Sequence, residues 1–297
     1  MQTRDITDLI LLASIWGASY LFMRVAAPEF GAIALIEIRV LVAALVLLPF
    51  LLARTKLSSI LPYWRELLIV GAMNSAIPFC LIAYATLHLS AGYAGVLNAG
   101  APLFGAVIAV IWLGEQLDAS LRVGFVLGFL GVFVLAWPEI DANLGPSTLA
   151  VLAAILAAAC YGWAASYTRL YTAHIETLAK VTGSMAGASI VLAPFAIMTW
   201  PDTPISAKSW MSVAALGAIC TGVAYLLYFR LISSIGPSQA ISVTYMVPAF
   251  AVLWGMLFLD EQITAPMLIG SAIILGGTAL ATGALSLSRT DVRGSDT

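Results

Sequence analysis

Apolar residues along this chain gather into long runs, and polar residues are confined to the short breaks between them. Ten runs can be traced, at 9–27, 32–52, 67–87, 93–113 and 121–137, then at 149–167, 178–199, 211–232, 240–259 and 267–287. Each is close to the roughly 20 residues a helix needs to cross a hydrocarbon layer about 30 Å thick. Within lipid a segment must satisfy its own backbone N–H and C=O groups, so each run is predicted to be a helix. The longest polar breaks, at 54–65, 137–146 and 200–210, are too short for a soluble domain. The pattern predicts an all-α integral membrane protein with ten transmembrane helices.

The second half of the chain repeats the first. Displaced by 146 positions, Ala94, Pro102, Glu115-Gln116, Gly124 and Gly131 fall on Ala240, Pro248, Glu261-Gln262, Gly270 and Gly277. Earlier in each half the displacement is 145, and Gly17, Arg24 and Pro49-Phe50 fall on Gly162, Arg169 and Pro194-Phe195. One residue inserted in a loop accounts for the change. The expected organisation is a first repeat at 6–137, a second at 147–288 and a short tail at 289–297. Internal symmetry in so apolar a chain marks membrane transporters, whose halves rock about a site at their interface.

Composition agrees with a membrane protein. The chain is 62% hydrophobic and 9% charged, with a mean hydropathy of +1.02, whereas about a quarter of a soluble domain is charged. A net charge of -2 offers nothing to a nucleic-acid partner. Cys80, Cys160 and Cys220 are dispersed in apolar runs, so neither a disulfide framework nor metal-ligand spacing is expected. Arg4 is offset by Asp5 and Asp8, and the first run carries Trp16 and Arg24, which fits a span better than a cleaved signal peptide. The chain has no Gly-rich phosphate loop with a lysine, and His88 and His174 lie far apart. No cofactor, metal or catalytic residue is therefore expected.

The basic residues predict a topology. With the N-terminus cytoplasmic, Arg4, Arg54, Lys56, Arg65, Arg122, Arg169, Lys180, Arg289 and Arg293 all fall inside, and Arg230 lies near the inner end of its run. Only Lys208 and, by snorkelling, Arg24 fall outside. Both termini are expected in the cytoplasm. Five spans per half is an odd number, so the second half enters the membrane upside down, with Glu115 inside and Glu261 outside.

These residues resemble a known family. Trp16-Gly17-Ala18-Ser19 with Arg24-Val25-Ala26, then Arg39, Leu89-Ser90-Ala91-Gly92, Pro102-Leu103-Phe104 and Leu113-Gly114-Glu115-Gln116-Leu117, are similar to an EamA domain. Tyr161-Gly162-Trp163, Ile235-Gly236-Pro237, Pro248 and Leu259-Asp260-Glu261-Gln262 continue the pattern more loosely in the second half. The resemblance covers 6–288 and identifies a ten-helix member of the drug/metabolite transporter superfamily, most like its aromatic amino acid and paraquat exporters. It implies secondary transport of a small metabolite across a bacterial inner membrane. One departure stands out: Ser184 occupies the position that matches Arg39.

Three prolines point to a polar cavity at mid-depth. Pro102, Pro248 and Pro78 each remove the N–H that would bond the carbonyl four residues earlier, on Asn98, Thr244 and Asn74. Freed backbone beside a polar side chain is tolerated there only against protein or a wet cavity. These prolines are candidate kink or gating positions. Candidate substrate contacts are Asn74, Asn98 and Thr244, with Trp16, Ser19, Tyr20, Tyr84, Trp163 and Tyr245 supplying hydroxyls and aromatic faces; plain helix packing is the competing explanation for each. Trp137, Trp200 and Trp210 lie at run ends, as interfacial residues do.

Charges inside spans are few. Arg24 and Glu37 are placed to pair, and Arg39, two positions from Glu37, faces elsewhere and could bond backbone carbonyls or a helix end. Glu115 and Glu261 follow equivalent helices and are expected to be solvated turn residues or braces between two conformations. The expected function is export of amino acids with neutral, apolar or aromatic side chains by alternating access. The alternatives are an organic-cation exporter of the same fold and a channel-like facilitator. The expected partners are the lipid bilayer and a small-molecule substrate, with the protein a monomer or weak dimer.

Overall fold

The computed structural model describes residues 3–115, 119–140 and 143–281. Gln116, Leu117 and position 118 lie outside them, as do the tail from 282 onward with Arg289 and Arg293 and the side chains of Pro237 and Ser238. The described residues form helices and turns and no strand. Seven helical stretches are long and apolar enough to cross a membrane: Thr3–Leu52, Leu61–His88, Ala91–Leu113, Ala119–Glu139, Pro146–Tyr171, Thr177–Met198 and Ala207–Ile235. Val243–Leu259 and Ala265–Ala281 are shorter apolar helices.

Several long stretches are broken, and the breaks follow from local chemistry. The 50-residue α1 (Thr3–Leu52) turns at Gly31, whose φ of 71° and ψ of 164° belong to a region that essentially only glycine enters. Glu29 sits beside that turn and accepts hydrogen bonds from the Ser206 N–H (2.6 Å) and hydroxyl (2.8 Å). Ser206 in turn caps the start of α9 (Ala207–Gly217). Between α2 (Trp64–Gly71) and α3 (Ile77–His88) lies a π-helical turn, Ala72–Ala76. A second one, Ala218–Val223, joins α9 to α10 (Ala224–Ile235).

The fourth apolar run is also interrupted. Ser90 caps α4 (Ala91–Asn98) by accepting from the Tyr93 N–H, and the chain restarts as α5 (Ala101–Leu113) with Pro102 in its first turn. The sequence suggested a single freed carbonyl here; the helix instead stops and restarts. In the second half the break lies earlier in the segment, between α11 (Pro237–Ala240) and α12 (Val243–Leu259), so Pro248 lies inside an unbroken helix. Both α5 and α12 end on a left-handed residue, Gly114 (φ 68°) and Asp260 (φ 53°).

Small residues set the closest approaches. On α6 (Ala119–Ala136) and α13 (Ala265–Ala281) glycines face one another, and a Cβ built on Gly277 would stand 2.7 Å from Gly128 Cα and 2.8 Å from the Gly124 oxygen. α1 meets α12 at Gly17, where a Cβ would lie 2.6 Å from Phe250 Cβ. α7 (Pro146–Tyr171) meets α5 at Gly162, 2.6 Å from the Phe104 carbonyl carbon. Such backbone contact is how helices associate where no hydrophobic force separates side chain from solvent. The central core gathers around α1, where Leu35, Ile36 and Val40 are fully buried against α8 (Thr177–Met198) and α9.

Candidate functional site

A cavity of about 430 Å³ lies within the helical bundle, a volume in the range of small-molecule sites. Of the candidates raised from sequence, Trp16, Ser19, Tyr20, Asn74, Asn98, Thr244 and Tyr245 line it, together with Pro102, Pro248 and Arg39. Met23, Phe79, Ile82, Tyr161, Thr221 and Tyr225 complete much of the wall. The lining is aromatic, amide and hydroxyl in character; among the described residues it holds no Asp or Glu.

Three candidates lie elsewhere. Trp163 stacks on Trp112 (5.5 Å between ring centroids) and on Tyr167 (5.1 Å). It stands two residues from Tyr161, about 200° around the helix, so the two cannot face the same way. Tyr161 takes the cavity. Tyr84 packs edge-on against His88 at 5.2 Å. Pro78 opens α3 directly after the π turn and does not reach the lining.

The charges sort differently from the expected pairing. Arg24 donates to the Thr86 carbonyl, and Glu37 accepts from the Ser189 hydroxyl at 2.6 Å, so each meets a neutral partner and the two do not bond one another. Arg24 finds a carbonyl near the end of α3, the usual resort of a cation near a helix terminus. Arg39 is 6% exposed and contacts three uncharged groups. Its Nε donates to the Thr221 hydroxyl (3.1 Å), one terminal nitrogen meets Met23 Sδ (3.7 Å), and its carbon lies 3.7 Å from the centre of the Phe79 ring.

Thr221 belongs to the second π turn and Asn74 to the first, and both line the cavity. π turns recur at functional sites because the extra residue redirects a side chain. Nothing in the sequence flagged Thr221, Met23 or Phe79, since a hydroxyl, a thioether and a ring are ordinary in an apolar span. Asn98 was legible through its proline. Its amide nitrogen donates to the Tyr20 hydroxyl (2.9 Å), while Oδ1 is buried without a partner.

Asn98→Leu keeps the branching at Cγ and deletes the free acceptor. Transport in proteoliposomes should fall roughly five- to 150-fold, because a buried polar contact contributes about 1–3 kcal/mol, while yield and melting temperature stay near wild type. A variant that melts early but transports normally would make Asn98 a helix-packing residue only.

The ends of the bundle are fastened unequally. Asp8 pairs with Arg230 at 2.6 Å and Asp5 accepts from Ser234 at 2.7 Å, which places the start of α1 and the end of α10 together. At the other end, Glu261 accepts from the N–H groups of Ala91 (2.7 Å) and Gly92 (3.2 Å), so a residue following α12 caps α4. Gly255 leaves room for that carboxylate, which a Cβ there would strike. Glu115, expected like Glu261 as a solvated turn residue or a brace, is exposed and pairs with Arg169 on α7. The lining of the cavity extends from Arg39 and Ile82 to Ile241 and Thr244, towards the end that carries Thr3.

Comparison with known proteins agrees with this architecture. The EamA-like transporter family matches twice, at residues 6–137 and 148–283. "Uncharacterized transporter YoaV" of Bacillus subtilis is 24% identical over 91% of this chain and 93% of its own length. A "Probable terminal-alkyne amino-acid exporter" of Streptantibioticus cattleyicolor is 24% identical over 94% of this chain and 93% of its own. A "Probable amino-acid metabolite efflux pump" of Escherichia coli is 23% identical over 93% of this chain and 94% of its own. A solved protein titled only "Crystal structure of protein", at 20% identity, superposes on 97% of this chain and 100% of that one with a TM-score of 0.66. The chain belongs to the EamA-like transporter family and is a multi-pass membrane transporter.

Proposed function

We propose that this transporter exports small zwitterionic metabolites, foremost amino acids with neutral or aromatic side chains, by alternating access. The observation that carries the reading is a cavity walled by aromatic rings, amides and hydroxyls with, among the described residues, no carboxylate to offset a permanent cation. Burying an uncompensated charge is expensive, so organic cations are disfavoured. The two relatives named as exporters of amino acids or their metabolites lie in the same direction.

The proposed frame is ten spans in two inverted five-helix repeats. The turn at Gly31 divides α1 into two lengths, and α12 and α13 add two more to the remaining long stretches. Repeat symmetry is favoured by coincidences 146 positions apart: the π turns that start at Ala72 and Ala218, and the left-handed residues Gly114 and Asp260. Gly17 packs on Phe250 as Gly162 packs on Phe104. By this reading the Thr3 end, which carries Arg54, Lys56 and Arg65, is cytoplasmic in a bacterial inner membrane. The Glu261 cap then holds the outer side closed, and the cavity faces inward.

Counterflow in proteoliposomes tests the function. Unlabelled leucine, methionine or phenylalanine on the trans side should accelerate entry of the labelled amino acid, whereas quaternary ammonium drugs should exchange poorly. Ready movement of the drugs with no exchange of amino acids would refute the substrate class. Entry that ignores trans-substrate would make the protein a pore.

A further inference from the structure

We propose that Arg39 is the anchor for a substrate carboxylate, with Asn98 Oδ1 receiving the ammonium group, so that the site selects free amino acids over their esters and amines. The inference deepens the transport reading above and rests on the cavity being the transport site.

Arg39 is nine-tenths buried in a segment flanked by apolar residues, and its guanidinium stays charged under all ordinary conditions. Of its five N–H donors, one meets the Thr221 hydroxyl and one a thioether, a weak acceptor; the plane rests on the Phe79 ring. None of these partners carries negative charge. Glu37, two residues along, is turned to Ser189 and does not line the cavity. A buried cation with only neutral partners is a costly arrangement unless an anion completes it. The planar fork of donors matches a carboxylate, which it can hold in two parallel bonds.

Asn98 supplies the opposite pole. Its amide nitrogen is committed to Tyr20, and Oδ1 is buried, unpartnered and part of a residue that lines the same cavity. An unfilled acceptor of this kind is satisfied by an N–H donor, and an ammonium supplies three. The same cavity is lined by Phe79, Ile82, Val247 and Tyr161, which suits an apolar or aromatic side chain. The repeat partner of Arg39 is Ser184, whose hydroxyl donates to the Val181 carbonyl. The second half therefore provides no matching cation at that position, and the site carries one carboxylate anchor from this pair of positions.

The test uses purified full-length protein and two ligand series that each keep one side chain. The leucine series is leucine, its methyl ester, 3-methylbutylamine and 4-methylpentanoate; the phenylalanine series is built likewise. Ligand-induced thermal shift gives affinity, and inhibition of counterflow gives competition. Removing a charge-assisted contact should weaken the ester and the amine at least tenfold relative to the amino acid. The deaminated acid should keep part of the affinity through Arg39 and lose the Asn98 contribution. In Arg39→Gln the preference for amino acid over ester should collapse, with Arg39→Lys intermediate. The wild-type series stands alone if a variant does not fold. Esters and amines that compete as well as amino acids would overturn the proposal, as would failure of every carboxylate to bind at millimolar concentration. Binding of the deaminated acids with no binding of leucine or phenylalanine would refute the amino-acid reading and leave the carboxylate anchor standing.

Discussion

Glu261→Gln should turn the protein towards the opposite-facing state. The carboxylate holds two backbone N–H groups at the start of α4, and it sits where a helix N-terminus favours negative charge. The amide can accept from one N–H, leaves the other unpaired and removes the charge, a loss of about 2–4 kcal/mol. On the alternating-access reading that loss falls on one state alone, so the equilibrium should move roughly thirty- to several hundredfold. Glu115 is the equivalent carboxylate and is engaged with Arg169 instead, in an exposed pair whose release costs about 0–1 kcal/mol. Its repeat-related target, the start of α11, begins with Pro237, which has no N–H to give. The cap at that end is therefore weaker by one donor. In a background without native cysteines, maleimide labelling of Val252→Cys, beside Gly92, should accelerate and that of Thr244→Cys should slow. Unchanged labelling at both positions would show that the cap does not hold this state.

Gly277→Leu should be among the most damaging single changes in the membrane part, and its neighbour Gly276→Leu among the mildest. A Cβ at Gly277 meets backbone on α6, which cannot rotate away, whereas one at Gly276 meets nothing within 4 Å. Forced overpacking costs about 1–3 kcal/mol before lost helix contact is added, a fall of roughly 2–10 °C in melting temperature. The two variants have the same hydropathy, so any shared effect on insertion cancels in the comparison. Equal melting temperatures would mean that α6 and α13 are not in backbone contact.

The apolar runs were legible because lipid leaves a backbone few choices, and length plus hydropathy capture most of them. The breaks were partly legible. Pro102 marked the fourth run, but whether the helix bends or restarts depends on neighbours, and Pro248 lies within an unbroken α12. Gly31 was one glycine among many until its φ was known. The residues that line the cavity were readable in depth and unreadable in azimuth: Trp163 and Tyr161 share a depth, yet only Tyr161 meets the cavity. Arg24 and Glu37 were near enough to pair on paper, and each found a closer neutral partner. The setting of Arg39 could not be read at all, since Thr221, Met23 and Phe79 come from three distant parts of the chain.

The π turns make the third and eighth apolar segments sensitive to their residue count. Each turn carries one residue more than an α-helix would, so the loss of a single residue there would leave the hydropathy profile intact. It would let the turn tighten to an α-helix with the flanking residues close to their present phase, and would redirect the side chains of the turn itself. Asn74 would turn out of the cavity wall in one case, and Thr221 off the Arg39 guanidinium in the other. The record of duplication fits that constraint. The spacing between the halves is 145 at Pro49 and Pro194 and 146 at Gly71 and Gly217, so the length change falls before both π turns. Drift in length has been absorbed near the polar loops, and the count of residues inside these two segments has been kept in step.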